Sequence, residues 1–369
     1  MKSDARTEST ATPGGLLSVP NSQTTNVATT ALSVGTTIRI RTVFLAGGAF
    51  VAAIVSGCNP AFAVEGGTFG GPIGGTDIRQ AFLPPTTGLY GGLVGVGITA
   101  PSLQGVDGNA SKAAAPSYIG SFIGGGGLLY VYPINPLGFT IASSFQLAWQ
   151  TTAQELNTRA GLRSGIVNGL TDSYADIFLA SHYIGLMGAD PGLHPIPRLR
   201  YGLTGAFGVG VEIPLGSYSP TKFPTTGKNT FITIPSIAFT YLTGPNLSLA
   251  DGTELSVRMF YEVNSRNPAT LYQGGNIFDI DWSVTQRQNS FQYGVAGLFA
   301  QQLNGDVSKT SAQVAPDGNR FEKLGLGPVI AYDSEALHST IKFKALFPIH
   351  NENAYLTTQY VLSASFKLY

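Results

Sequence analysis

The sequence predicts an all-β fold, a transmembrane antiparallel β-barrel of about twelve strands preceded by a signal peptide. Three observations carry this. The first is sustained alternation: Leu255, Val257, Met259, Tyr261 and Val263 are apolar, while the residues between them are mostly polar, as Glu254, Ser256, Arg258, Glu262 and Asn264. A period of two sustained this long gives a strand with one greasy and one wet face. It exceeds the roughly five or six residues of a soluble strand and matches the nine to eleven or so that cross a bilayer. The second is composition. Charged residues are 11% of the chain, against roughly 25% in soluble domains. Glycine and aromatics are plentiful, and no apolar run after the leader is long enough for a membrane-spanning helix. The third is that short and long connections alternate between the strand candidates.

Residues 1–38 are rich in Ser, Thr and Ala without periodicity and read as a disordered N-terminal extension. Residues 39–63 read as a signal peptide: Arg39 and Arg41, an apolar run from Val43 to Val55, then Ala61-Phe62-Ala63 as the cleavage site. A competing reading takes Val55-Ser56-Gly57-Cys58 as a lipobox, with Cys58 acylated as the first mature residue. Cleavage after Ala63 would leave no cysteine, hence no disulfide framework and no thiol chemistry. The mature chain would then be slightly acidic with no basic stripe, which gives no footprint for nucleic acid.

Residues 64–88 are Gly/Pro-rich and unsuited to a central strand. They read either as a flexible lead-in or as a plug folded back into the barrel mouth. The barrel itself spans 89–369, with strand candidates at 89–100, 126–133, 138–152, 172–186, 198–213, 230–243, 253–264, 274–287, 290–303, 320–333, 338–348 and 355–369. Connections after even-numbered strands are mostly short, as at Gln288-Asn289. Those after odd-numbered strands, such as 101–125 and 153–171, are mostly longer. Short periplasmic turns, long outer loops and an even count place both ends in the periplasm.

Alternation also assigns faces. Leu203, Phe207 and Val209 should meet lipid opposite Thr204, Gly208 and Glu212; Ile177, Leu179 and Tyr183 should meet lipid opposite Tyr174, Asp176 and His182. The lumen is then expected to hold Asp176, His182, Glu212, Arg258, Glu262, Asp279, Asp281, Arg287, Lys342 and Lys344, with Tyr174 and Phe260 as its aromatics. The chain ends Phe366-Lys367-Leu368-Tyr369, and a terminal aromatic is a signal read by barrel-insertion machinery, although Tyr369 is one residue out of the apolar phase.

Several runs resemble one family. They are Glu65-Gly66-Gly67, Leu83-Pro84-Pro85 with Gly88-Leu89-Tyr90, Pro214-Leu215-Gly216-Ser217-Tyr218, and the stretch Asn264 to Asn276 containing Asn267, Thr270 and Tyr272. Gln301-Gln302-Leu303-Asn304-Gly305-Asp306 and Gly318-Asn319-Arg320 with Leu326-Gly327-Pro328 complete the set. The chain resembles bacterial outer-membrane proteins filed under the meta-pathway of phenol degradation, with Ser217 where that family usually shows Asp. The resemblance implies a transporter or porin for hydrophobic, often aromatic, compounds.

Several polar residues are candidates for chemistry. Asn264, Asn267, Thr270 and Tyr272 most simply cap loop backbone groups; the alternative is a polar rim that orients an entering ligand. Asp279 and Asp281 share a face, as a catalytic or metal-binding pair would, but ordinary pairing with Arg258 or Arg287 across strands is the simpler reading. Ser181 and His182 are adjacent on a strand and so face opposite sides, which removes a hydrolase pair. The four His show no metal-ligand spacing. Gly124–Gly127 and Gly208-x-Gly210 lack the Lys-Ser/Thr of a phosphate loop. No catalytic residue, metal or cofactor is expected. The expected function is passive passage of small hydrophobic or aromatic compounds across the outer membrane, with lipid and those solutes as partners. The alternative is a structural or adhesive barrel with a closed lumen.

Overall fold

The computed structural model describes residues 69–158, 161–189, 199–245, 248–308 and 318–369. The expected N-terminal extension, the signal peptide with Cys58, and residues 64–68 lie outside the described residues.

Thirteen strands follow in chain order among these residues. They are β1 (Gly88–Ala100), β2 (Ser117–Val131), β3 (Thr140–Thr158), β4 (Gly161–Leu170), β5 (Ser173–Gly185), β6 (Gly202–Ile213), β7 (Ile232–Leu242), β8 (Gly252–Asn264), β9 (Ile277–Gln288), β10 (Phe291–Gln302), β11 (Glu322–Ser334), β12 (Ser339–Glu352) and β13 (Thr358–Lys367). All pairings between them are antiparallel, β1 pairs with β13, and the β2–β3 pairing completes the ring. β4 and β5 act as two pieces of one stave. β3 pairs with β4 through Trp149–Thr158 and with β5 through Thr140–Phe145. Counted as staves, the closed barrel is twelve-stranded. Closure leaves no sheet edge to face hydrocarbon, the condition for crossing a bilayer with strands.

Burial is inverted relative to a soluble protein. Trp149 and Phe122 are 57% and 61% exposed, whereas Arg287 and Lys344 are 1% exposed and Glu262, Asp279 and Asp281 are fully buried. Apolar side chains coat the outside and charged ones fill the inside, as lipid outside and a polar lumen require.

Three expectations from the sequence are corrected. β2 begins at Ser117, not near residue 126, because the run Gly124–Gly127 hides an alternation that resumes on its N-terminal side. The outer loop expected at 153–171 is instead a ribbon of β3 and β4. There the outward face is mixed: Thr151 and Glu155 on β3 are polar while Leu162 and Ile166 on β4 are apolar and exposed, so pairing persists where the apolar alternation is broken. The third correction concerns β5. Asp176 faces Gly210 and Phe178 faces Val209 on β6, which leaves Ile177 as an extra residue, a β-bulge. Ile177 and Phe178 both point outward, and the residues from Leu179 to Tyr183 change side, up to a second irregularity before Gly185. Leu179 and Ser181 are therefore inside. His182 is outside, stacked on Phe139 at 4.7 Å between ring centres and donating to Gly138 O through Nδ1 at 3.0 Å.

Candidate functional site

Residues directly opposite in an antiparallel pair share a face, so the lumen wall can be followed around the ring. Lys342 of β12, whose ammonium meets Asp77 at 2.6 Å, lies opposite Ser363 of β13. Ser363 lies opposite Val94 of β1, Val94 opposite Gly125 of β2, and Gly125 opposite Ala148 of β3. Extending each strand by twos gives Val96 and Ile98, then Ser121 and Ile123, then Gln146 and Gln150. From β1 through β3 no inward position carries a charge. From β5 through β12 nearly every strand does.

The charged half holds a segment of the chain itself. Residues 70–81 bond to inward side chains of β5 to β12, a set that only the interior of the ring can reach. Gly71 N donates to Glu212 Oε2 at 2.6 Å. Gly74 N and Thr76 N donate to the Asp281 carboxylate at 2.9 and 2.7 Å, and Thr76 Oγ1 donates to it at 2.8 Å. Arg79 N donates to Glu254 Oε1 at 2.7 Å, while the Arg79 guanidinium forks onto Asp333 at 2.8 and 2.5 Å. Asp77 meets Lys342 at 2.6 Å and Lys344 at 3.0 Å, and Ser283 Oγ donates to Asp77 O at 2.9 Å. Ser181 Oγ donates to Ala81 O, and Ala81 N to Thr240 Oγ1 at 3.0 Å. A Gly/Pro-rich segment has no ladder partners, so its buried backbone groups need side chains. The barrel wall supplies carboxylates for its N–H groups and lysines for its carbonyls: Lys344 Nζ donates to Gly74 O at 2.8 Å.

The residues singled out in the sequence divide into three groups. Tyr174, Asp176, Arg258 and Phe260 form one inward cluster. Asp176 accepts from Tyr174 Oη at 2.8 Å, Ser144 Oγ at 2.9 Å and Arg258 Nη2 at 3.0 Å, and the Arg258 guanidinium lies 4.7 Å from the centre of the Phe260 ring. Glu212, Glu262, Asp279, Asp281 and Arg287 line the wall around residues 70–81. The expected pairing of Asp279 and Asp281 with Arg258 or Arg287 does not occur. Arg258 turns to Asp176 across the lumen, Arg287 Nη1 donates to Gln292 Oε1 at 3.1 Å with Asp333 at 3.9 Å, and Asp281 is taken by Gly74 and Thr76. The plug reading of residues 64–88 anticipated a segment inside the barrel, but not that its main chain would take these carboxylates.

The third group ties the outer loops together. Asn264 Nδ2 donates to Gly275 O, and Asn267 Nδ2 to Lys228 O at 3.1 Å; Asn267 Oδ1 accepts from Ala269 N and Asn229 Nδ2. Tyr272 Oη donates to Asp306, which also accepts from Gly275 N at 2.8 Å and Gln302 Nε2 at 2.6 Å, and Asn319 Nδ2 donates to Tyr272 Oη. Thr270 sits in the same loop. These bonds link the β6–β7, β8–β9 and β10–β11 connections. Above the uncharged half, Leu103, Ile119, Leu156 and Tyr355 pack together with Phe223 of the β6–β7 loop. Burial pushes the Tyr355 phenol up to about 12, against a hydrogen bond from Gln154, so this cover carries no charge near neutral pH.

Residues that sequence reading missed include Asp77, Arg79, Glu254, Lys323 and Asp333. Asp77 and Arg79 did leave a signal: they stand two apart in an otherwise uncharged run from Gly66 to Gln80.

Comparison with known proteins identifies the family. The model for the family described as "Putative MetA-pathway of phenol degradation" matches residues 104–363, which is most of the barrel. The chain belongs to this family. The COG4313 outer membrane channel from Pseudomonas putida F1 superposes with a TM-score of 0.62 at 12% identity, over 79% of this chain and 100% of that one. The transport unit of the autotransporter AIDA-I from Escherichia coli gives 0.42 at 8% identity, over 79% and 93%. No curated protein sequence matches the chain. Family and fold together make it a bacterial outer-membrane β-barrel of the channel-like kind.

Proposed function

We propose that this barrel is a passive outer-membrane route for small hydrophobic or aromatic compounds, running along the β13–β1–β2–β3 side of the lumen beside a plug formed by residues 69–87. The observation that carries the reading is the division of the wall. From β13 to β3 the one inward charge among the described residues is Lys367, at the end of β13, and this half presents Val94, Val96, Ile123, Gly125 and Ala148. A polar solute crossing there would exchange its hydration for apolar wall, while an apolar solute gains by leaving water. Conversely, the plug's many bonds favour a second reading, a closed structural barrel.

Flux separates the two. Full-length protein in liposomes should admit toluene or phenol faster than protein-free vesicles, and Val94→Trp should reduce that flux while leaving a heat-modifiable folded barrel. Flux equal to that of empty vesicles would leave the structural reading standing.

A further inference from the structure

Two carboxylates on the plug-binding wall have nothing to hold. Glu262 and Asp279 are fully buried, and none of their four oxygens meets a hydrogen-bond donor among the described residues. Their neighbours differ: Glu212, Glu254 and Asp281 each accept from the plug backbone. The register sets Phe260 opposite Asp279 and Glu262 opposite Ile277, so Glu262 and Asp279 are diagonal neighbours on the inward faces of β8 and β9. Their charges lie close enough to repel one another, and Asp281 adds to the repulsion at Asp279.

The nearby lysines exert a field on the pair, but none bonds to either carboxylate. Lys344 is engaged with Asp77, and Lys323 Nζ points to Thr357 Oγ1 at 3.4 Å. Lys228 Nζ is buried near Glu212 and Glu262 but bonds to neither. Two ionised carboxylates taken out of water side by side without donors are strongly unfavourable, so the pair must take up either a proton or a cation.

We propose that Glu262 and Asp279 form a site for a hard divalent cation, Ca2+ or Mg2+, bridging β8 and β9 where the plug passes. The donor set is oxygen only, which suits these ions and not zinc or copper. No group of three or more His, Cys, Asp or Glu suited to a metal occurs among the described residues, so the site is one of two carboxylates completed by water. The plug touches it directly. Gly71, at φ +80°, rests against the Glu262 carboxylate, and an added Cβ there would collide with it. The cation would therefore screen the wall at the point where plug backbone lies against it.

The test uses full-length protein, folded in detergent free of lipopolysaccharide and stripped with EDTA, titrated calorimetrically at pH 7.5 with CaCl2 and then MgCl2. One saturable equivalent is expected for at least one ion, with a rise in Tm on loading. E262Q and D279N should each weaken binding by roughly tenfold or more, because affinity follows ligand charge. D107N, in an exposed loop, should not. K228M should bind more tightly, since it removes a competing ammonium; unlike the carboxylate variants it leaves the site's ligands intact. The proposal is overturned if wild type binds neither ion, if E262Q and D279N bind as wild type does, or if K228M lowers Tm without gaining affinity, which would mean that Lys228 itself neutralises the pair. None of these outcomes depends on whether the barrel passes apolar solutes.

Discussion

Replacing Asp77 with Ala should loosen the plug, and the size of the effect follows from what is left behind. Asp77 is fully buried between Lys342 and Lys344, which are 20% and 1% exposed. Removing one partner of a buried ion pair costs about 3–5 kcal/mol, because the other charge stays buried alone. Lys344 keeps Gly74 O at 2.8 Å and Thr76 O at 3.0 Å as acceptors, which argues for the lower end. About 3 kcal/mol is roughly a hundredfold shift in the ratio of seated to released plug. The assay is the labelling rate of a cysteine at Phe82 by a membrane-impermeant maleimide, in a background with Cys58 replaced by Ser. Labelling should accelerate on that scale in D77A. Adding K344M, which removes the stranded charge, should recover part of the loss. Equal labelling rates in the parent and in D77A would refute the idea that this ion pair seats the segment.

Three further outcomes follow from the structure. Asn267→Ala removes the side chain that bonds Lys228 O, Asn229 and Ala269 N; at about 1 kcal/mol per bond it should cost roughly 2–3 kcal/mol of loop order, seen as faster amide exchange in 265–276, and flux changes without lost protection would instead favour a ligand-orienting rim. Val209→Arg places a charge on the lipid face and should cost about 2–4 kcal/mol if near midplane, read as a lower urea midpoint in vesicles, with an unchanged midpoint refuting the outward assignment. Deleting residues 69–85 should raise ion conductance in planar bilayers while apolar flux persists, and an unchanged conductance would show that the segment does not obstruct the lumen.

Much of the barrel was legible because lipid imposes a period of two on one face of each strand. β8, β9 and β10 carry that pattern almost without interruption, and their predicted bounds differ from the observed ones by at most three residues. Legibility failed where the constraint lapsed. In the ribbon of residues 151–158 with Gly161–Leu170, polar Thr151, Glu155 and Asn157 break the outward apolar pattern that Leu162 and Ile166 keep only in part, yet the hydrogen-bond ladder continues. In β5 a single extra residue, Ile177, inverts His182 and Tyr183, and nothing in the side-chain pattern marks a bulge. The lumen charges were found as residues, but their partners were not. Cross-strand pairing is a nearest-neighbour expectation, whereas Asp281 and Asp333 are engaged by residues more than two hundred positions away in sequence.

Those distant partners change what the lumen charges mean. A barrel interior lined with Asp, Glu, Lys and Arg reads at first as an aqueous pore for ions. Here Glu212, Glu254, Asp281, Asp333, Lys342 and Lys344 are each turned to the backbone or side chains of residues 71–79, so their charge is spent on holding a glycine-rich segment that cannot hold itself. The arc from β13 to β3, charged only at Lys367 on its rim, faces no such segment for most of its length. A polar wall and an apolar route are therefore compatible within one barrel, because they occupy different halves of its circumference.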